Sequence, residues 1–324
     1  MKRKIIIVSF ILIAAFLVYR FAGREAHLPD SGSKVDKPLS HKHSEKKNRI
    51  STQGNGAVEE VAAEDEKVKD LIKEICNKDI SVFDRTPKIL MLRQMNLSKN
   101  DERMMLEHLS KVDLEESQSI KNDLIEHMVR YGSDKSRVGE VLLAIITNPH
   151  QDRVVREYVL QYVPEFYTGR WKQGQNWDNA EEQDRQLFNQ ALWEITDLTE
   201  GSMAGGALFA LHRIAEKYED IDQMEVFKKA REVLIDPSYM NPNRMGAVQI
   251  LAFSNNEEYF EAARNIVMDK NQPVLLQVTA IHTAAQSRFP DKDFISYLKQ
   301  VSKGGEEIHP SLQKCASLTL LKLK

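Results

Sequence analysis

The sequence predicts an all-α protein built from stacked antiparallel helical hairpins. Three observations lead there. From Ala57 onward, apolar residues recur at i, i+3, i+4 and i+7 in one segment after another. Strand-like alternation is nearly absent. The joints are mostly short and carry capping residues or a proline at the start of the next helix. Many short helices with short joints are the mark of a helical stack in which each hairpin buries its apolar face on its neighbours.

The N-terminus stands apart. "MKRK" is basic, and Ile5 to Tyr19 runs without a charge. With Arg20 snorkelling and Phe21 to Gly23 added, the stretch reaches ~28 Å at ~1.5 Å per residue, close to the ~30 Å of a hydrocarbon layer. Three basic residues precede it, which favours a cytoplasmic N-terminus and places everything after residue 24 outside. No small-x-small cleavage site ends the run, and no cysteine lies nearby to carry a lipid. Residues 1–23 are therefore read as a signal anchor, a transmembrane helix. The expected product is a single-pass membrane protein whose body is periplasmic or at the cell surface. The alternative is a protein secreted after its signal peptide is cleaved.

Residues 24–56 read as a flexible basic linker. The run "HLPDSGSKVDKPLSHKHSEKKNRISTQGNGA" holds too little apolar surface to fold. Its basic part, His41 to Arg49, suits contact with anionic lipid or wall polymer. His41 and His43 lack the further ligands and rigidity of a metal site. Formal charge is +4 over residues 1–23 and +3 over 24–56, which leaves −10 for the rest of a chain of net charge −3. An acidic body argues against nucleic acid as a partner, since phosphate recognition needs clustered positive charge.

Residues 57–324 form the expected helical repeat domain. In "EDEKVKDLIKEIC", Val68, Leu71, Ile72 and Ile75 share one helix face. Similar faces recur over 102–112, 117–131, 137–147, 152–167, 183–196, 203–217, 222–235, 243–253, 256–268, 273–287, 291–301 and 310–323. Gly132-Ser133 closes one helix and opens the next, and Ser202, Asn241 and Asn255 stand where N-caps belong.

The last third can be aligned on itself. Helices led by Pro242, Pro273 and Pro310 place Ala247, Val278 and Cys315 at position +5 and Ile250, Ile281 and Leu318 at +8, all of core type. Between them, "NNEEYFEAARNIV" and "DKDFISYLKQV" match at Tyr259/Phe294 and Phe260/Ile295. In "NPHQDRVVREYVLQYV", Asp152 and Arg156 stand as an Asp/Arg pair. These features resemble the HEAT/armadillo class of α-solenoids, visibly over 148–324 and by helix count alone over 57–147. The resemblance implies a HEAT-like stack of helical hairpins. The spacings between the prolines, 31 and 37 residues, fall below the usual ~40–47 of the family, and the copies lack a uniform Asp/Arg pair. The alternative architecture is a non-repeating helical bundle.

No catalytic motif is present: no His-Glu-x-x-His, no Gly-x-Ser-x-Gly, no phosphate-binding glycine loop. In "GSMAGG", Gly205 and Gly206 are expected to let two helices approach closely. His212 and His282 lie on apolar helices and read as core residues. Cys76 and Cys315 sit near opposite ends of the body, too far apart in an extended stack for a disulfide; a compact closed bundle would reverse that. No cofactor and no metal are expected.

One stretch breaks the rhythm. "YTGRWKQGQNWDNAEEQDR", Tyr167 to Arg185, holds a joint of about a dozen residues between helices, with Asp178 as the expected cap. Arg170, Trp171, Lys172 and Trp177 are its candidate binding residues, because aromatic faces beside amide and basic groups suit an extended peptide or a sugar. The bland reading folds each indole back to fill a gap between hairpins, with Tyr167 and Phe188 positioned to receive a ring. Trp177, beside Asp178, is the better filler and Trp171 the better contact. The sequence thus points to a membrane-tethered scaffold that binds a protein or peptide partner. The alternatives are a module for cell-wall glycan and, with less to support it, an all-helical enzyme acting on polysaccharide.

Overall fold

The computed structural model describes residues 55–95, 97–169, 180–254, 256–285, 292–305 and 307–323. The segment expected to be a signal anchor and the expected linker, up to residue 54, lie outside the described residues. So do Arg170, Trp171, Lys172, Trp177, Asp178 and Asn255. Among the described residues no helix is long and apolar enough to cross a membrane.

All regular structure among the described residues is helical. The elements are α1 (Asn55–Cys76), α2 (Val82–Leu92), α3 (Lys99–Ser110), α4 (Gln118–Tyr131), α5 (Lys135–Thr147), α6 (Arg153–Thr168), α7 (Glu182–Ile195), α8 (Met203–Ala215), α9 (Gln223–Ile235), α10 (Asn241–Leu251), α11 (Glu257–Met268), α12 (Val274–Ala284), α13 (Lys292–Lys303) and α14 (Pro310–Lys322). Each odd helix packs on the even helix that follows it, forming a hairpin. Every even helix also packs on the next even helix, from α2 to α14. Odd helices touch in the same way from α1 to α7 and between α9 and α11. The helices therefore lie in two layers, and the core is the seam between them.

The hairpins share one polar tie. A helix leaves its last carbonyls without partners, and a donor near that end satisfies them. In six hairpins the fourth residue of the even helix does this, reaching back to the end of its odd partner. Arg85 Nη1 donates to Ile75 O, Lys121 Nζ to Lys111 O, Arg156 Nη2 to Ile146 O, Arg244 Nε to Leu234 O and Gln277 Nε2 to Val267 O, each ten residues back. Gln313 Nε2 donates eleven residues back, to Ser302 O at 3.4 Å. Counted from the tie residue, the fourth position onward is Ile89, Ile125, Leu160, Val248 and Ile281, all buried in the core.

The hairpin of α7 and α8 is the exception, because its fourth even-helix residue is Gly206. It is secured from the next hairpin instead. The buried amide of Asn243 donates to Leu198 O and Thr199 O and accepts from the Gly205 N–H at 3.1 Å. Here α8 and α10 come very close. A Cβ on Gly246 would sit 2.7 Å from Gly205 Cα, so the expected close approach is real and is made by Gly205 with Gly246. Gly206 faces the Leu160 side chain instead.

Two buried carboxylates join hairpins early in the chain. Glu116 receives both Arg85 Nη1 at 3.1 Å and Nη2 at 2.9 Å, and lies 3.0 Å from His108 Nε2. Glu102 accepts from Ser133 N, Ser133 Oγ and Asp134 N at the start of α5.

Several sequence expectations need correction. Helix α2 was not anticipated, because Pro87 lies inside it. Asp134, not Ser133, caps α5, and Met240 rather than Asn241 precedes α10. Ser202 does precede α8, but its hydroxyl makes no cap and donates to Glu157 instead. The proline alignment is out of register, since Pro242 lies in the second position of its helix, Pro273 precedes its helix, and Pro310 opens its own. Leu318, expected in the core, is 52% exposed, and Val278 and Cys315 are only half-buried. Aligned on the tie residue, Ala247, Ala280 and Ala316 correspond, and all three are fully buried.

Candidate functional site

The described residues before 170 and after 179 in the chain make contacts with one another. Helix α6 ends at Thr168, and Gly169 turns the chain with a left-handed φ of 60°, which glycine adopts without strain. Glu181 precedes α7, and Ala180 is buried. The Tyr167 hydroxyl donates to Asp220 Oδ2 at 3.0 Å, and the Tyr218 ring meets the Tyr167 ring edge-on at 5.4 Å. Burial and the Asp220 carboxylate both push the Tyr167 hydroxyl pKa upward. Arg185 lies over the Tyr218 ring at 5.5 Å, donates Nη1 to Ala180 O, and sits 3.4 Å from Asp220. Phe188 packs on Phe166 at 5.6 Å. Tyr167 and Phe188, expected to receive a tryptophan ring, thus already have partners among the described residues. The candidate residues Arg170, Trp171, Lys172 and Trp177 lie outside the described residues.

A second surface was not found from the sequence. On the first three even helices, the positions one and two residues past the tie donor are half-buried or exposed. These positions hold Thr86 and Pro87, Asn122 and Asp123, and Glu157 and Tyr158. Five residues past the donor come Leu90, Glu126 and Gln161. Most charges here are matched. Glu126 pairs with Arg130 and, at 3.6 Å, with Arg93; Arg130 also approaches Glu165 at 3.7 Å. Glu157 pairs with Arg153 at 3.4 Å. Asp123 has no ion pair among the described residues; its nearest partner is the Asn122 amide at 3.5 Å. Burial raises its pKa, against the Asn122 contact and the Arg93 charge, which both lower it. Next to it, burial first and then the Glu157 and Asp123 charges raise the Tyr158 hydroxyl. On α2 the same face bears Phe83, 91% exposed, and Leu90, 48% exposed. The helical period that locates the core says nothing of which solvent-side residues lie together. The tie residue supplies that register, and it is recognisable only once its acceptor carbonyl is seen.

The remaining titratable groups serve packing. His212 is buried and stacked on Phe253, with ring centroids 5.1 Å apart and planes at 15°. Burial lowers its pKa, as it does that of the half-buried His282. His127 is fully buried, and neither ring nitrogen finds a hydrogen-bond partner among the described residues. Burial and the nearby Arg93 charge take its pKa down to about 4. Asp152 caps α6 through Val154 N and Val155 N and accepts from Gln118 of the preceding hairpin, so the Asp152/Arg156 pair is structural. Cys76 and Cys315 lie in the first and last hairpins and are both free; burial pushes the Cys76 thiol up to about 11. No group of three or more His, Cys, Asp or Glu among the described residues is placed to hold a metal.

No protein-family model matches the chain, and no curated protein matches it.

Proposed function

We propose that the chain is a membrane-tethered, extracytoplasmic scaffold whose HEAT-like α-solenoid binds a protein or peptide partner. One observation supports this most. The hairpins stack helix on helix with the same tie repeated along the stack, and that construction leaves the solvent side of the even helices unused by the fold. A continuous row of helix faces is the surface on which such stacks take extended ligands. The tether and its orientation rest on the charge pattern around Ile5 to Tyr19.

The experiment is cross-linking and capture with the full chain from detergent extract of its own membranes, beside sedimentation with insoluble wall glycan. A specific co-purifying protein supports the scaffold; capture of nothing while glycan pulls the chain down overturns it. Topology is tested separately by adding protease to cells with opened outer barriers. The helical body should be digested, and its survival until the membrane is lysed would reverse the orientation.

The glycan module has one feature in its favour. Trp171 and Trp177 fall in the joint between α6 and α7, the longest between neighbouring helices here, beside Lys172 and a run of amide side chains. Loss of glycan sedimentation on replacing Trp171 would favour that reading.

A further inference from the structure

We propose that the solvent face of α2, α4 and α6 receives a partner segment that sets a lysine or arginine on Asp123 and Tyr158 and a large apolar residue on Phe83 and Leu90. This inference rests on the protein-binding reading above and names the partner's chemistry.

The first argument is electrostatic. Asp123 is half-buried, its hydrogen bond is a 3.5 Å contact to a neutral amide, and the Arg93 charge that also acts on it is paired at 3.6 Å with Glu126. The chain could have matched it, since the neighbouring Glu126 and Glu157 each have an arginine. Tyr158, two residues past its own tie donor as Asp123 is past its own, makes no hydrogen bond among the described residues. Asp123 and Tyr158 hold matching positions on the adjoining helices α4 and α6, and the Asp123 charge acts on the Tyr158 hydroxyl; a carboxylate and a phenol so placed can receive one cationic side chain, the carboxylate pairing with the charge and the ring face attracting it. The folded body carries formal charge −10 from residue 57 onward, so a basic segment is also drawn to it at longer range.

The second argument is apolar and independent. Phe83 and Leu90 are seven residues apart, two turns along one face of α2, and Pro87 lies between them, also exposed. Helix α2 packs directly on α4, and Arg93 at its end reaches Glu126. The apolar strip and the acidic position are therefore on adjoining helices. In the next three hairpins with a tie, the position of Leu90 is held by Glu126, Gln161 and Gln249, so the exposed leucine is not a requirement of the fold.

The test uses the full chain in detergent micelles and a fluorescent twelve-residue peptide of alternating Lys, Leu and Gly, followed by fluorescence anisotropy. Asp123→Asn and Phe83→Ser should each weaken binding about tenfold or more, a loss of roughly 1.4 kcal/mol. Glu225→Gln, which removes an exposed carboxylate on α9, should leave it unchanged. The melting temperature of Asp123→Asn should hold or rise, because a half-buried carboxylate without an ion pair has gone; a merely structural Asp123 would lower it. Equal losses from Asp123→Asn and Glu225→Gln would reduce the binding to general charge attraction and overturn the proposal. So would equal binding of a peptide with Glu in place of Lys. So would peptide binding that emerges only when Lys42, Lys46, Lys47 and Arg49 are neutralised, since the chain's own basic stretch would then be the occupant. If a captured partner is indifferent to Asp123→Asn, this site fails while the scaffold reading stands.

Discussion

Replacing His127 by leucine should make the protein both more stable and less sensitive to acid. The ring is fully buried on α4, with its centroid 5.2 Å from that of Tyr131, and neither nitrogen has a hydrogen bond among the described residues. Burial holds its pKa at about 4, against 6.5 for a free histidine. A depressed histidine pKa means that the unfolded chain takes up the proton first. Stability is therefore intact above pH ~6.5 and falls as pH drops from there toward ~4. With ~1.4 kcal/mol per pKa unit, moving from pH 7 to pH 5 costs about 2 kcal/mol through this one residue, and the full loss by pH 4 is about 3 kcal/mol. His108, His212 and His282 are depressed too and add to the slope. Leucine matches the ring in rough size and leaves no polar atom without a partner, which is worth about 1 kcal/mol at pH 7. Urea unfolding of the full chain in detergent, followed by far-ultraviolet circular dichroism at both pH values, measures the difference. The variant should lose about 2 kcal/mol less than the parent between pH 7 and pH 5. An identical loss in the two proteins would refute the reasoning, because His127 would then titrate alike folded and unfolded.

Three further outcomes are expected. Gly246→Ala should cost about 1–3 kcal/mol, since its methyl group meets backbone at 2.7 Å and must push α8 from α10, whereas Gly206→Ala meets only the end of Leu160 and should cost less; thermal melts compare them. Arg85→Met should cost about 3–5 kcal/mol by leaving the buried Glu116 without its guanidinium, with His108 its remaining side-chain partner, and adding Glu116→Met should recover part of the loss, as a double-mutant cycle would show. Trp177→Ala should lower stability by about 3–5 kcal/mol as a gap-filling residue, while Trp171→Ala should leave the melting temperature almost unchanged and reduce ligand capture; equal, large losses from both would end the binding-loop idea.

The helices were legible because burial on one side imposes a period, and that period survives in Val68, Leu71, Ile72 and Ile75 as in most later segments. Helix α2 was not, for two reasons. Pro87 removes an N–H and normally stops a helix, and Phe83 and Leu90 blur its polar face. At the sixth position only one early bond is lost, and Ser81 caps the start through Asp84 N. The register of the last third misled because proline is tolerated before a helix and at its first or second residue, so it marks the start only loosely. The side chain that reaches back to a carbonyl has no such freedom. Its identity nevertheless varies among Arg, Lys and Gln, so no single letter marks it in the sequence. The surface around Asp123 depends on that register. None of the predicted binding residues lies among the described residues, and the joint that holds them was legible through its length alone.

The recurring tie also bears on how the molecule would behave under tension. Each tie closes one hairpin on itself, whereas neighbouring hairpins are held largely by apolar faces, which resist shear poorly. A chain pulled from its two ends should therefore lengthen in steps, one hairpin at a time, each releasing ~120 Å for roughly 35 residues. Some neighbours are fastened as well: Asn243 holds the hairpin of α7 and α8 to the next, Glu102 holds α3 to the start of α5, and each such pair would yield together. The first two, riveted by Arg85 and Glu116, would be among the last to part. A stack made this way is a graded spring, stiffest at its first two hairpins.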